Sequence, residues 1–325
     1  MRGCPRGLAA WVWASFAAVL LAGRAHAGDA EPPLRVAVSI PPLESLTREV
    51  APTGTQVHVL IPPGRSEHGF EFTPADLALV ARADVVVLVG LGLEPRIEKF
   101  LSEQPNPKRR VVRFADVVGL EQVEVRHQGA AHDEPEHPKS APPASEHDAL
   151  PPGWVDQHLW LDPSLVEKLV PALGEGIVKA LEAKGTLDDS ARTALRRAQA
   201  DSLTRVRQID AEYRERLAPV KGKAIVTNHN AFSRVAQRYG LTIACSLREL
   251  ENSEPTPSEV AAIARAVQEH KAAAIFVEPQ YSQSVGKRLA RQVGVKVGRL
   301  DAMGKGDWAA LMRGNLEELA RALGD

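Results

Sequence analysis

Asp84-Val85-Val86-Val87-Leu88-Val89 is the stretch that decides the fold class. Side chains alternate between the two faces of a strand, so a run with no polar position is a strand buried on both faces. Such strands belong to parallel sheets covered by helices. Residues 34–40 and 56–61 have the same character, rich in Val, Ile and Leu, and residues 110–114 form a weaker fourth run. The segments between them read as helices. One starts near Pro42, and another has Thr73 as its N-cap and Pro74 at its first position.

The second half repeats the scheme. Residues 223–227, 241–246, 272–277 and 295–300 read as strands, and residues 231–239, 258–269, 282–293 and 308–323 as the helices between and after them. Gly240 and Gly294 follow two of these helices, where a left-handed C-cap is expected. Between the halves, residues 187–217 form one long helical pattern. Leu195, Ala198, Ser202, Val206, Ile209, Tyr213 and Leu217 make a narrow apolar stripe on an otherwise charged surface. A coiled-coil dimer is the alternative to a rigid connector packed on its own protein, and the connector is preferred. The expected architecture is α/β. Two lobes, each with a mostly parallel four-stranded sheet flanked by helices, are joined by one long backbone helix. The boundaries are 28–185 for the first lobe, 186–218 for the helix and 219–325 for the second lobe.

Residues 1–27 read as a secretory signal peptide. Arg2 and Arg6 precede an apolar run over 8–23, and Ala25-His26-Ala27 fits a small-x-small cleavage site. Cleavage near Ala27 lowers Lys+Arg from 40 to 37 against 41 Asp+Glu, and the formal charge from −1 to −4. A mildly acidic exported chain argues against a nucleic-acid partner. Cys4 leaves with the signal, and Cys245, in an apolar run, is left without an internal disulfide partner.

Three histidines stand where strands end or loops begin. His68 follows the run 56–61 through a Pro-Pro-Gly turn, His229 follows 223–227, and His158 precedes a helix capped by Asp162. Asp301 closes the run 295–300. Open α/β sheets bind ligands outside the carboxyl ends of their strands. Three imidazoles and a carboxylate are a complete ligand set for zinc. A single histidine at a strand end is more often a surface or core residue than a ligand; the grouping is what carries weight.

Four stretches carry a resemblance: Pro63-Gly64-x-x-x-His68-x-Phe70-Glu71-x-Thr73-Pro74; His158-Leu159-Trp160-Leu161-Asp162-Pro163; Thr227-Asn228-His229-x-Ala231-Phe232; and Val277-Glu278-Pro279-Gln280 with Leu300-Asp301-x-Met303-Gly304. Together they resemble the metal-specific solute-binding proteins of bacterial ABC importers, the ZnuA/TroA-like family, zinc-type. The resemblance covers nearly all of residues 34–325. It implies two lobes on a backbone helix with a metal in the cleft, and it implies His68, His158 and His229 as ligands. It offers Asp301 as the fourth ligand. It also offers Glu67, because some zinc-binding members use a Glu before the first histidine. Adjacent side chains point in different directions, which sets Glu67 against His68 and places Asp301 ahead. Asn230 departs from the family, where Asp commonly follows the third histidine.

The resemblance implies a periplasmic high-affinity receptor that delivers Zn(II) to the membrane permease of an ABC importer. It implies no enzyme activity, no small organic substrate and a monomer. A manganese or iron receptor of the same fold is the alternative, and an exported zinc hydrolase a more distant one. Residues 121–153 change composition: His127, His132, His137 and His147 alternate with acids and prolines. That segment reads as a flexible loop, either a plain insertion or a weak second metal site. Gly90-Leu91-Gly92 lacks the third glycine of a dinucleotide motif, and Glu278 reads as structural or capping, with support of a metal ligand or contact with the importer as the alternatives.

Overall fold

The computed structural model describes residues 34–120, 156–248 and 255–324. The signal segment 1–27 and the loop 121–153, with its four histidines, lie outside the described residues.

The apolar runs all become strands. In the first lobe β1 (Arg35–Val38), β2 (Gln56–Val59), β3 (Val85–Leu88) and β4 (Arg110–Arg113) form a sheet in the order β2-β1-β3-β4. In the second, β5 (Ala224–Thr227), β6 (Thr242–Ser246), β7 (Ala274–Val277) and β8 (Lys296–Arg299) take the order β6-β5-β7-β8. Every pairing is parallel. All four residues of β3, β5 and β7 are buried, as continuous apolar strands require.

Helices cover the sheets. The first lobe has α1 (Pro41–Glu49), α2 (Pro74–Arg82), α3 (Pro95–Glu103), α4 (Phe114–Val118) and α5 (Pro163–Lys184). Thr73 and Asp76 form a reciprocal capping box at the start of α2. The connector α6 (Asp189–Leu217) is capped by Asp188, whose side chain accepts from the Ala191 N–H. Its 29 residues extend about 43 Å at 1.5 Å each. Leu195, Ser202, Val206, Ile209, Tyr213 and Leu217 are its buried face, which packs on α5 and on the C-terminal helix, so this stripe serves its own chain. The second lobe has α7 (Ser233–Tyr239), α8 (Pro257–Glu269), α9 (Ser284–Val293) and α10 (Trp308–Leu323). Gly240 and Gly294 end α7 and α9 with φ of 77°, the left-handed cap that glycine adopts without strain.

The lobes share one apolar core at their base. Two buried tryptophans fasten it. The Trp160 indole donates to the Ala302 carbonyl at 2.6 Å, and the Trp308 indole donates to the Trp160 carbonyl at 2.7 Å. Tyr213 of α6 donates to the Met312 carbonyl at 2.6 Å, tying the connector to α10.

Candidate metal site

The strand ends deliver the donors. Backbone bonds from Leu60 and Ile61 to Val38 and Ser39 carry the chain to the carboxyl edge of the first sheet. The loop that follows bends at Glu67 and turns at His68–Gly69, with the His68 N–H donating to Ser66 Oγ at 3.2 Å. His158 opens a 3-10 turn, Leu159–Leu161, whose three side chains are fully buried. His229 stands two residues beyond β5.

Glu67, His68, His158 and His229 converge, each offering one ligand atom within 4.8 Å of the others. Nε2 of His158 lies 3.1 Å from Nε2 of His68, 3.2 Å from Nε2 of His229 and 3.1 Å from Glu67 Oε1. Glu67 Oε1 is 3.8 Å from the Nε2 atoms of His68 and His229. Zinc bound to nitrogen at about 2.0–2.1 Å separates tetrahedral ligands by about 3.3 Å. The observed edges bracket that value.

Asp301 stands apart from these four. The structure does not bring it into the cluster. Its Oδ1 accepts from the Gln280 side chain at 2.7 Å, the Met303 N–H at 3.0 Å and the Gly304 N–H at 2.9 Å. The carboxylate organises the turn after β8. Glu67 takes its place because the loop is curled rather than extended, so Glu67 and His68 both turn inward. The rule that adjacent side chains diverge applies to strands, not to this turn.

Two carboxylates orient the imidazoles from behind. Asp156 Oδ1 lies 2.8 Å from His158 Nδ1, and Glu278 Oε1 lies 2.6 Å from His229 Nδ1. A proton on Nδ1 in these bonds leaves the Nε2 lone pair for a cation. Glu278 is thus a partner of His229 rather than a cap. Asp156 stands two residues before His158, and that spacing is its signal in the sequence.

Burial dominates the electrostatics, and pairing overturns it. Burial alone would raise the Glu67 carboxyl, but His158 and His229 hold it well below the usual carboxylate range. Burial would lower His158, yet its bonds to Asp156 and Glu67 push it up to about 9. His229 is raised well above the ordinary imidazole range: burial opposes this, and Glu278 and Glu67 outweigh it. The carboxylates thus favour positive charge on His158 and His229, the charge that a divalent ion would supply.

The glycine loop after β3 is closed from within the chain. Glu94 turns its own carboxylate into it, accepting from the Val89 and Gly90 N–H groups at 2.9 and 3.0 Å. The Leu91 carbonyl of this loop accepts from the Gln157 side chain at 2.5 Å, which steadies the segment carrying His158.

Two parallel α/β lobes with imidazole and carboxylate donors turned into their seam define a two-lobed solute-binding protein built for a metal cation. The family model for the zinc-uptake complex component A periplasmic (ZnuA) matches residues 36–322, and the chain belongs to that family. It is a receptor of metal uptake, not an enzyme. The high-affinity zinc uptake system protein ZnuA of Haemophilus ducreyi is 28% identical over 271 residues, covering 83% of this chain and 84% of its own length. That of Yersinia pestis is 26% identical over 279 residues, covering 83% of each chain. The solved periplasmic zinc binding protein TroA from Treponema pallidum shares the fold with a TM-score of 0.69 at 20% identity, covering 89% of this chain and 99% of its own.

Proposed function

We propose that this chain is a periplasmic receptor that captures one Zn(II) with Glu67, His68, His158 and His229 and delivers it to the permease of an ABC importer. The convergence of three Nε2 atoms and one carboxylate oxygen within 4.8 Å carries this reading. Three nitrogen donors to one oxygen favour zinc over manganese, which prefers oxygen. The zinc-uptake relatives support the same cargo. Four donors complete a tetrahedral shell and leave no open position for the activated water of a hydrolase.

Residues 1–27 act as an export signal cleaved near Ala27, and the mature chain works as a monomer. Among the described residues no helix is long and apolar enough to cross a membrane. The loop histidines His127, His132, His137 and His147 offer a weaker second site. Native mass spectrometry of the exported protein tests the reading. One tightly held zinc is expected, lost in a His158→Ala, His229→Ala double variant; retention of one tight zinc by that variant overturns it.

A further inference from the structure

His158 belongs to the first lobe by chain order, since its turn leads into α5. The second lobe nevertheless grips that turn. The indole and the carbonyl of Trp160 are bound by Ala302 and Trp308. Further along, Arg238 Nε lies 3.6 Å from Asp162, the cap of α5. Arg238 belongs to α7 and is seated on the connector, its Nε and Nη2 each donating to Asp210 at 2.8 Å. Helix α7 thus has a fixed base from which to hold its neighbours.

The closest grip is on Asp156, a buried residue. Its Oδ1 accepts from the His158 N–H at 2.9 Å and faces the ring Nδ1 at 2.8 Å. Its Oδ2 accepts from Ser233 Oγ at 2.5 Å, and its backbone carbonyl accepts from Arg234 Nη2 at 2.9 Å. Arg234 Nε lies 3.5 Å from the same Oδ2. A carboxylate held at one oxygen can turn about its χ2 bond, which is a soft torsion. Held at both, it keeps Oδ1 in one direction, and Oδ1 sets the plane of the His158 ring. Ser233 and Arg234 open α7 directly after the loop that carries His229.

We propose that Ser233 and Arg234 are positioning residues for the metal: by clamping Asp156 they aim His158 from the second lobe, so that one short segment, 229–234, supplies one ligand and orients another. Neither side chain is among the donors. They act through the carboxylate behind the imidazole, whose orientation governs how well Nε2 meets the ion. This inference rests on the zinc reading above.

The test is competition titration of the exported protein with Zn(II) against a chromophoric chelator, together with the d–d absorption of the Co(II)-loaded protein. Ser233→Ala and Arg234→Ala are each expected to weaken zinc binding about three- to tenfold, with one ion still bound and the Co(II) band altered. Ser233→Thr, which restores the hydroxyl, is expected to recover most of the loss. In an Asp156→Ala background, Ser233→Ala is expected to cost nothing further, because its effect passes through that carboxylate. Unaltered affinity and spectrum in both alanine variants, or a Ser233→Ala loss that multiplies with that of Asp156→Ala, overturns the clamp. If Asp156→Ala does not fold, the pair at 233 decides: Thr as weak as Ala overturns it. An unaltered protein that takes up no zinc overturns the receptor reading instead.

Discussion

Glu67 Oε1 and His158 Nε2 stand 3.1 Å apart, each side chain at most 2% exposed. At that distance a proton or a cation can bridge carboxylate and imidazole, and the two compete for the same atoms.

Zinc binding should release protons. With His158 raised to about 9 and His229 shifted the same way, both imidazoles favour their protonated forms. Calorimetry in buffers of different ionisation enthalpy should count about two protons released per zinc. Affinity should fall on acidification by between tenfold and about a hundredfold per pH unit while both imidazoles are protonated.

The metal-free protein should lose stability as pH rises, and zinc should add more of it. His158 has a folded value near 9 against 6.5 unfolded, so its contribution is complete below 6.5 and lost as pH rises through 9. Glu67 and Asp156 are depressed, so theirs is present above the unfolded carboxylate range and lost as pH falls below it. Calorimetric Tm of the metal-free protein should therefore peak near pH 5–6.5, then decline toward pH 9. The stabilisation added by zinc should grow over the same interval.

Glu67→Gln and Asp301→Asn should separate ligand from scaffold. Gln at 67 loses the anionic donor, and zinc affinity should drop at least tenfold by competition titration. Asn at 301 still offers one acceptor to its turn, so affinity should stay within about twofold while Tm falls by a few degrees, the scale of about 1 kcal/mol.

The carboxylates behind the imidazoles should matter nearly as much as the ligands. Asp156→Asn and Glu278→Gln should each weaken zinc binding about 10–100-fold, with one ion still bound. Unchanged affinity in both would show that the Nδ1 contacts do not tune the site.

Glu94→Ala should act on stability rather than binding. It strands the buried Val89 and Gly90 N–H groups, at a cost of about 2–4 kcal/mol in chemical denaturation. Zinc stoichiometry should remain one.

The architecture was readable in one dimension because each layer signals itself locally. Unbroken Val runs mark doubly buried strands, Thr73-Pro74 and Asp162-Pro163 mark helix starts, and Gly240 and Gly294 mark stops. Helix α4 carries no such signal, because Phe114 opens a five-residue segment too short to show an apolar period. The histidines were legible from their place after strands. The fourth donor was not. Asp301 and Glu67 both sit at the carboxyl edge, and a sequence does not say that Met303, Gly304 and Gln280 already occupy one while a curled loop aims the other. Nor does it say which carboxylates lie behind His158 and His229, since Glu278 reaches its imidazole from 49 residues away.

The reciprocal tryptophan bonds at the base have a consequence for selectivity. Lobes fastened there resist spreading of the four donor atoms, as a calliper resists opening. A cation that demands six oxygens would have to spread the four donors, against the bonds that hold Trp160 and Trp308 to carbonyls across the lobes.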